Sequence, residues 1–131
     1  MLHPWTKFKK SLFVLSCLTL MSCGGTQVDL IAVQVTPLCV SLSLGASQQF
    51  EATVFVNNVS QSDSNTLVTW SVPSNAYGTI SNVEGSEGSY TAPNELPPDG
   101  NSIIITATSK SDSQKIGQAT VLIEEACPVT E

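Results

Sequence analysis

The chain has 131 residues, with eleven acidic side chains against five basic ones and a formal net charge of −6. The basic residues are all lysines, and His3 is the only histidine. Neutralising a phosphate backbone takes clustered Lys and Arg, so this composition speaks against a nucleic-acid partner.

The first element in the chain is a leader. Lys7, Lys9 and Lys10 form a basic segment, and Ser11 to Met21 is an apolar run containing Leu12, Phe13, Val14, Leu15, Leu18 and Leu20. The run is much shorter than the ~20 residues a bilayer span needs. It has the layout of a secretory signal peptide and is set aside from fold reasoning. The segment closing it, Leu20-Met21-Ser22-Cys23, resembles the lipobox of bacterial lipoproteins: an aliphatic residue, a small residue, then the acceptor cysteine. The resemblance implies a signal peptide over residues 1–22, cleavage before Cys23, and fatty-acyl chains such as palmitate on Cys23. Each buried methylene contributes ~0.8 kcal/mol, and two or three chains hold a protein at a membrane where one does so only marginally. Gly24 follows the acceptor where Asp would imply retention in the inner membrane, so a Gram-negative source implies the outer membrane. Two other readings stand beside this one. Cys23 could be unlipidated in a secreted protein, or Cys17 could be the acceptor after Val14-Leu15-Ser16.

Removing the leader takes away His3 and three lysines. Lys110 and Lys115 then face all eleven acidic residues. Such a chain is repelled by anionic headgroups, so any membrane attachment falls to the lipid. Residues 23–30 read as the lipidated cysteine and a short tether. The six residues from Gly24 to Asp29 reach at most ~20 Å. With Cys23 acylated, Cys39 and Cys127 remain in an oxidising compartment, where disulfides persist. By elimination they are the candidate pair, and two separate thiols are the alternative. Their Cα atoms must come within ~7 Å to bond.

The rest alternates in strand fashion. Ile31 to Thr36 stops at Pro37. Val40, Leu42 and Leu44 alternate with Cys39, Ser41 and Ser43 before Gly45 turns the chain. Phe50, Ala52, Val54 and Val56 share one face, as do Val68, Trp70 and Val72. Gly78 to Ser81 and Gly88 to Ala92 are shorter strands, and Leu96-Pro-Pro-Asp-Gly100 is a stiff connection. Ser102 to Ser109 contains three consecutive isoleucines, Ile103 to Ile105, which suggests a strand buried on both faces. Ser111-Asp-Ser113 reads as a hairpin turn before Lys115 to Glu124. Period-2 alternation between turn residues marks half-buried antiparallel strands. About seven or eight short strands fit an all-β, immunoglobulin-like β-sandwich.

Several blocks then resemble, in order, a bacterial Ig-like domain of group 2, the type shared with invasin and intimin. They are Val33-Gln-Val-Thr-Pro37, Val40 to Gly45, Ser47 to Val54, Val68-Thr-Trp70-Ser-Val72, Gly78-Thr-Ile80, Gly88 to Pro93, Ile105 to Ser109 and Ala119-Thr-Val121. The resemblance covers roughly Ala32 to Glu125 and implies one such domain over residues 31–126, with 127–131 as a tail. It places Trp70 on the central strand of one sheet, facing the other. No cysteine lies on the strands that carry the antibody-type disulfide, so Phe50, Ala52 and Ile105 are expected to fill that space. Tyr90 is expected to pack rather than bind. The family includes adhesins, which makes cell adhesion a related expectation, but those string many such domains together and only one fits here.

Catalytic chemistry is thinly represented. Without histidine after the leader, Ser-His-Asp and Cys-His arrangements are excluded. Gly85-Ser-Glu-Gly88 lacks the strand–helix setting of a phosphate loop. The carboxylate pairs Glu84/Glu87 and Glu124/Glu125 read as solvated surface. Asp63, Asp99 and Asp112 are isolated, with none of the spacing of a calcium loop. The reading is therefore not an enzyme, with no catalytic residue, cofactor or metal site.

The expected function is a lipid-anchored, non-enzymatic Ig-like module of the bacterial envelope. It would bind an envelope protein or polysaccharide, or act as a spacer. Candidate recognition loops are Asn57 to Thr66 and Leu96 to Asn101. The second reading is a carbohydrate-binding accessory of a polymer-degrading system, with Tyr77 and Phe55 as the available aromatics.

Overall fold

A computed structural model describes residues 25–129. Residues 1–22, the expected signal peptide, and Cys23 lie outside the described residues. Ten strands form two facing layers, with no α-helix among the described residues. They are β1 (Ile31–Thr36), β2 (Cys39–Leu42), β3 (Ser47–Gln49), β4 (Glu51–Val56), β5 (Val59–Ser60), β6 (Val68–Ser71), β7 (Thr79–Ile80), β8 (Ser89–Thr91), β9 (Ser102–Ser109) and β10 (Ile116–Ile123).

One layer is a four-stranded sheet in the order β2-β10-β9-β6. The other consists of two three-stranded pieces, β1-β4-β5 and β3-β8-β7. The pieces share one strand. β3 and β4 are a continuous extended segment interrupted only at Phe50, whose N–H donates to the Gly88 carbonyl at 2.9 Å. The architecture is an immunoglobulin-like β-sandwich.

Sequence alternation undercounts the strands for that reason, and because β5 has only two residues. Not every pairing is antiparallel. β2 runs parallel to β10, with Cys39 opposite Thr120 and Leu42 opposite Ile123. Pro37, which has no N–H to give a ladder, separates β1 on one sheet from β2 on the other.

The core lies between the layers. Val35, Phe50, Ala52, Val54, Val68, Trp70, Tyr90, Ile103, Ile105, Ala119, Val121 and Ile123 are buried in one cluster. Trp70 is 2% exposed, and Phe50 and Tyr90 are wholly enclosed. The rings of Phe50 and Tyr90 meet edge to face, with centroids 6.3 Å apart. Such pairs contribute ~0.5–1.5 kcal/mol beyond their area. The isoleucine triplet does not make a strand buried on both faces. Ile103 and Ile105 face the core while Ile104 is 38% exposed, on the same outward face as Thr106 and Thr108.

Trp70 is held at its backbone as well as its ring. Its N–H donates to Asn82 Oδ1 at 2.7 Å, and Asn82 Nδ2 donates to its carbonyl at 3.0 Å. Asn82 thus occupies backbone groups of β6 on the side away from β9, where an open edge invites unwanted pairing. The indole Nε1 is buried without a hydrogen-bond partner, a cost of ~1–3 kcal/mol that the burial of so large a ring outweighs.

Cys39 and Cys127 are bonded, with Cα atoms 6.1 Å apart and a sequence separation of 88. Cys39 opens β2, and Cys127 follows a turn at Glu124, where φ is 60°. The bond fastens the segment after β10 back onto the start of β2. A loop of that length gains ~4–5 kcal/mol in the chain-entropy model. Replacing Cys39 and Cys127 by serine is expected to lower the unfolding free energy by about that amount, read from urea denaturation of the full chain.

Glycine is required beside Trp70. At Gly88 φ is 81°, and an added Cβ would lie 2.3 Å from the Phe50 carbonyl oxygen and 3.0 Å from Trp70 Cζ2. At Gly85 φ is also positive, 88°, but an added Cβ meets open space. Gly85→Ala is expected to cost ~1–2 kcal/mol, for the backbone conformation alone. Gly88→Ala is expected to cost roughly 3 kcal/mol or more, because overpacking adds to the same backbone term. Urea midpoints of the two variants check the difference.

Candidate functional site

The sandwich has two ends, and the two candidate loops lie at opposite ones. The segment from Ser47 to Val56 runs the length of the domain, about 30 Å at ~3.3 Å per residue. Asn57 follows one end of it, and Gly45 precedes the other.

At the Asn57 end the chain enters the fold. Asn57 N–H donates to the Leu30 carbonyl at 2.8 Å. Leu30 N–H donates to Asn57 Oδ1 at 3.0 Å, and Asn57 Nδ2 donates to Asp29 Oδ1 at 2.9 Å. Two residues expected as tether are therefore fixed to the sandwich. Asn57 and Asn58 both have positive φ, 54° and 68°, which suits the tight two-residue turn joining β4 to β5.

The rest of this loop is tied to β4. Ser64 Oγ accepts from Val54 N–H at 3.0 Å and donates to the Gln61 carbonyl at 2.6 Å. Asn65 Oδ1 accepts from Ala52 N–H at 2.6 Å. Small polar residues are common here because they satisfy backbone donors along the β4 edge. Beside them a cleft of about 380 Å³ is lined by Glu51, Asp63, Glu84 and Glu87. Among the described residues no three His, Cys, Asp or Glu side chains come close enough to share a metal ion. Asp63, Asp99 and Asp112 are not gathered into one group.

The opposite end is built from three connections. Gly45 N–H donates to the Pro93 carbonyl at 3.0 Å, joining the β2–β3 turn to the β8–β9 loop. Leu44 N–H donates to Glu124 Oε1 at 3.3 Å, and Ile123 N–H donates to the Asn101 carbonyl at 2.8 Å. Asn101 Nδ2 donates to Glu125 Oε2 at 2.6 Å. The segment Leu96–Pro98 forms a ridge across this end. A cleft of about 440 Å³ lies on one side, lined by Leu96, Pro97, Pro98, Asn101, Ile123 and Glu124. A second, of about 360 Å³, lies on the other, lined by Asn75, Ala76, Asn94, Glu95, Leu96 and Pro98. Leu96 is 60% exposed between them.

Tyr77 closes the connection after β6. Its hydroxyl donates to Asp99 Oδ2, and its carbonyl accepts from the Tyr90 hydroxyl at 2.7 Å. The Asp99 hydrogen bond holds the Tyr77 phenol above its ordinary range, with burial and the negative charge of Asp99 adding to it. Tyr77 is half-buried against the core, so it does not lie flat and open as a sugar-stacking platform. Phe55 is half-buried on the outer face of β4.

Sequence reasoning found the Leu96 to Asn101 loop from its proline pair. It missed Asn82 and Asn57, whose roles depend on which backbone groups the fold leaves free. No family model matches the chain, and no curated protein matches its sequence.

Burial pushes the Tyr90 phenol up to about 12, against ~10 in an unfolded chain. The fold therefore favours the neutral phenol. That contribution is complete below pH ~10 and is lost as pH rises from ~10 towards 12. Unfolding free energy is expected to fall across that window, and Tyr90→Phe is expected to flatten the fall. Urea titrations at pH 9 to 12 check it.

Proposed function

We propose that this chain is a lipid-anchored, non-enzymatic Ig-like module of the bacterial envelope, and that it binds a protein or surface polymer through its Leu96–Asn101 end. One observation carries the choice of end: residues 29–30 are clamped to Asn57, about 30 Å along the sandwich from the Leu96 ridge. A lipid on Cys23 would hold the Asn57 end near the membrane and leave the Leu96 end facing outward. Further support comes from the lipobox-like Leu20-Met21-Ser22-Cys23 and from the ordered Ig-like blocks. A Gram-negative source would put the anchor in the outer membrane. Loops on a rigid sandwich are where such folds carry recognition, and this end is stiffened by Pro93, Pro97 and Pro98.

The anchor is tested in bacterial cells expressing the full chain. Radioactive palmitate is expected to label the wild type, and Cys23→Ser is expected to abolish the label and release the protein from the membrane fraction. An unlabelled wild type contradicts the reading.

A further inference from the structure

The Leu96 end combines an apolar ridge with uncompensated negative charge. Leu96 and Pro98 supply the exposed apolar lining of the larger cleft, on a floor that includes buried Pro97 and Ile123. Leu44 adds a partly exposed apolar side chain to the same end. Around them stand Glu95, Asp99, Glu124 and Glu125. Three of these carboxylates accept from neutral donors: Asp99 from Tyr77, Glu124 from Leu44 N–H and Glu125 from Asn101. Among the described residues both lysines, Lys110 and Lys115, lie at the β9–β10 turn at the other end, where Lys110 Nζ donates to the Thr66 carbonyl.

We infer that this end takes an extended polypeptide segment that sets an apolar side chain beside the Leu96 ridge and a lysine or arginine on either flank. The clefts on both sides of the ridge give neighbouring side chains separate places to sit. Burying the exposed part of Leu96 supplies apolar contact. The carboxylates supply attraction for cations and reject acidic segments, so they act on specificity and association rate. The ridge is stiff before binding, which lowers the ordering cost. An acidic or neutral polymer without an apolar side chain matches neither feature.

The inference rests on the proposed binding role of this end but not on the anchor. The test uses the full chain in detergent, with detergent alone as the blank, and three fluorescent hexapeptides: alternating Lys-Leu, alternating Lys-Ser and alternating Glu-Leu. Anisotropy titration is expected to show the Lys-Leu peptide binding at least tenfold tighter than either control. Leu96→Ser is expected to weaken it about fivefold or more, while Val83→Ser, an equally exposed apolar site outside this end, leaves it unchanged. Glu95→Gln combined with Glu125→Gln is expected to weaken binding and reduce its salt dependence. Urea midpoints confirm that each variant is folded. Equal binding of the Lys-Ser or the Glu-Leu peptide, or no effect of Leu96→Ser, overturns the inference. A chain that fails palmitate labelling yet discriminates the peptides refutes the anchor alone; a labelled chain that does not discriminate them refutes this partner class alone.

Discussion

The structure depends on one long strand. Ser47 to Val56 pairs with β8 through its first part and with β1 and β5 through its second, so it holds both pieces of one layer together. Its inward positions, Phe50, Ala52 and Val54, are buried against the opposite sheet. The break at Phe50 does not divide it, because the Phe50 N–H and carbonyl both stay close to Gly88. The same strand sets the geometry of function. It puts Asn57 and the incoming chain at one end, and Gly45, Pro93 and the Leu96 ridge at the other.

Three restraints keep that strand aligned with the rest. Gly88 leaves room for the Trp70 ring and for the Phe50 carbonyl. Asn82 completes the backbone hydrogen bonding of Trp70 on the side away from β9. The Cys39–Cys127 bond ties β2 to the segment beyond β10, where few apolar contacts would hold it. Side-chain packing fixes the middle of the sandwich, and covalent closure fixes its margin.

Much of the fold was legible in the sequence, since alternation is a direct consequence of a strand with one wet face. Ile31 to Thr36, Val68 to Ser71 and Ser102 to Ser109 could be read that way. The isoleucine triplet was misread, because a run of apolar residues does not say that its middle member is half in solvent. Parallel pairing of β2 with β10 was not legible, since periodicity carries no strand direction. The loop Asn57 to Thr66 reads in the sequence as a candidate recognition loop. Its serine and asparagine side chains are instead engaged by backbone donors of β4, which only the assembled sheet reveals. The Leu96 ridge was visible as a proline-rich connection, but its carboxylate neighbours Glu124 and Glu125 come from a distant stretch of chain.

The functional account follows from separation of the two ends. The end that receives residues 29–30 satisfies its own backbone, with both lysines nearby at the β9–β10 turn. The other end gathers carboxylates and exposed apolar side chains that no described part of the chain covers. Paired spin labels on the full chain, at Gln27 and at Asn94, measure that separation most directly. The account predicts a distance of about 30 Å or more, set by the Ser47–Val56 strand at ~3.3 Å per residue. A distribution centred below about 15 Å would place the incoming chain beside the Leu96 ridge and contradict it.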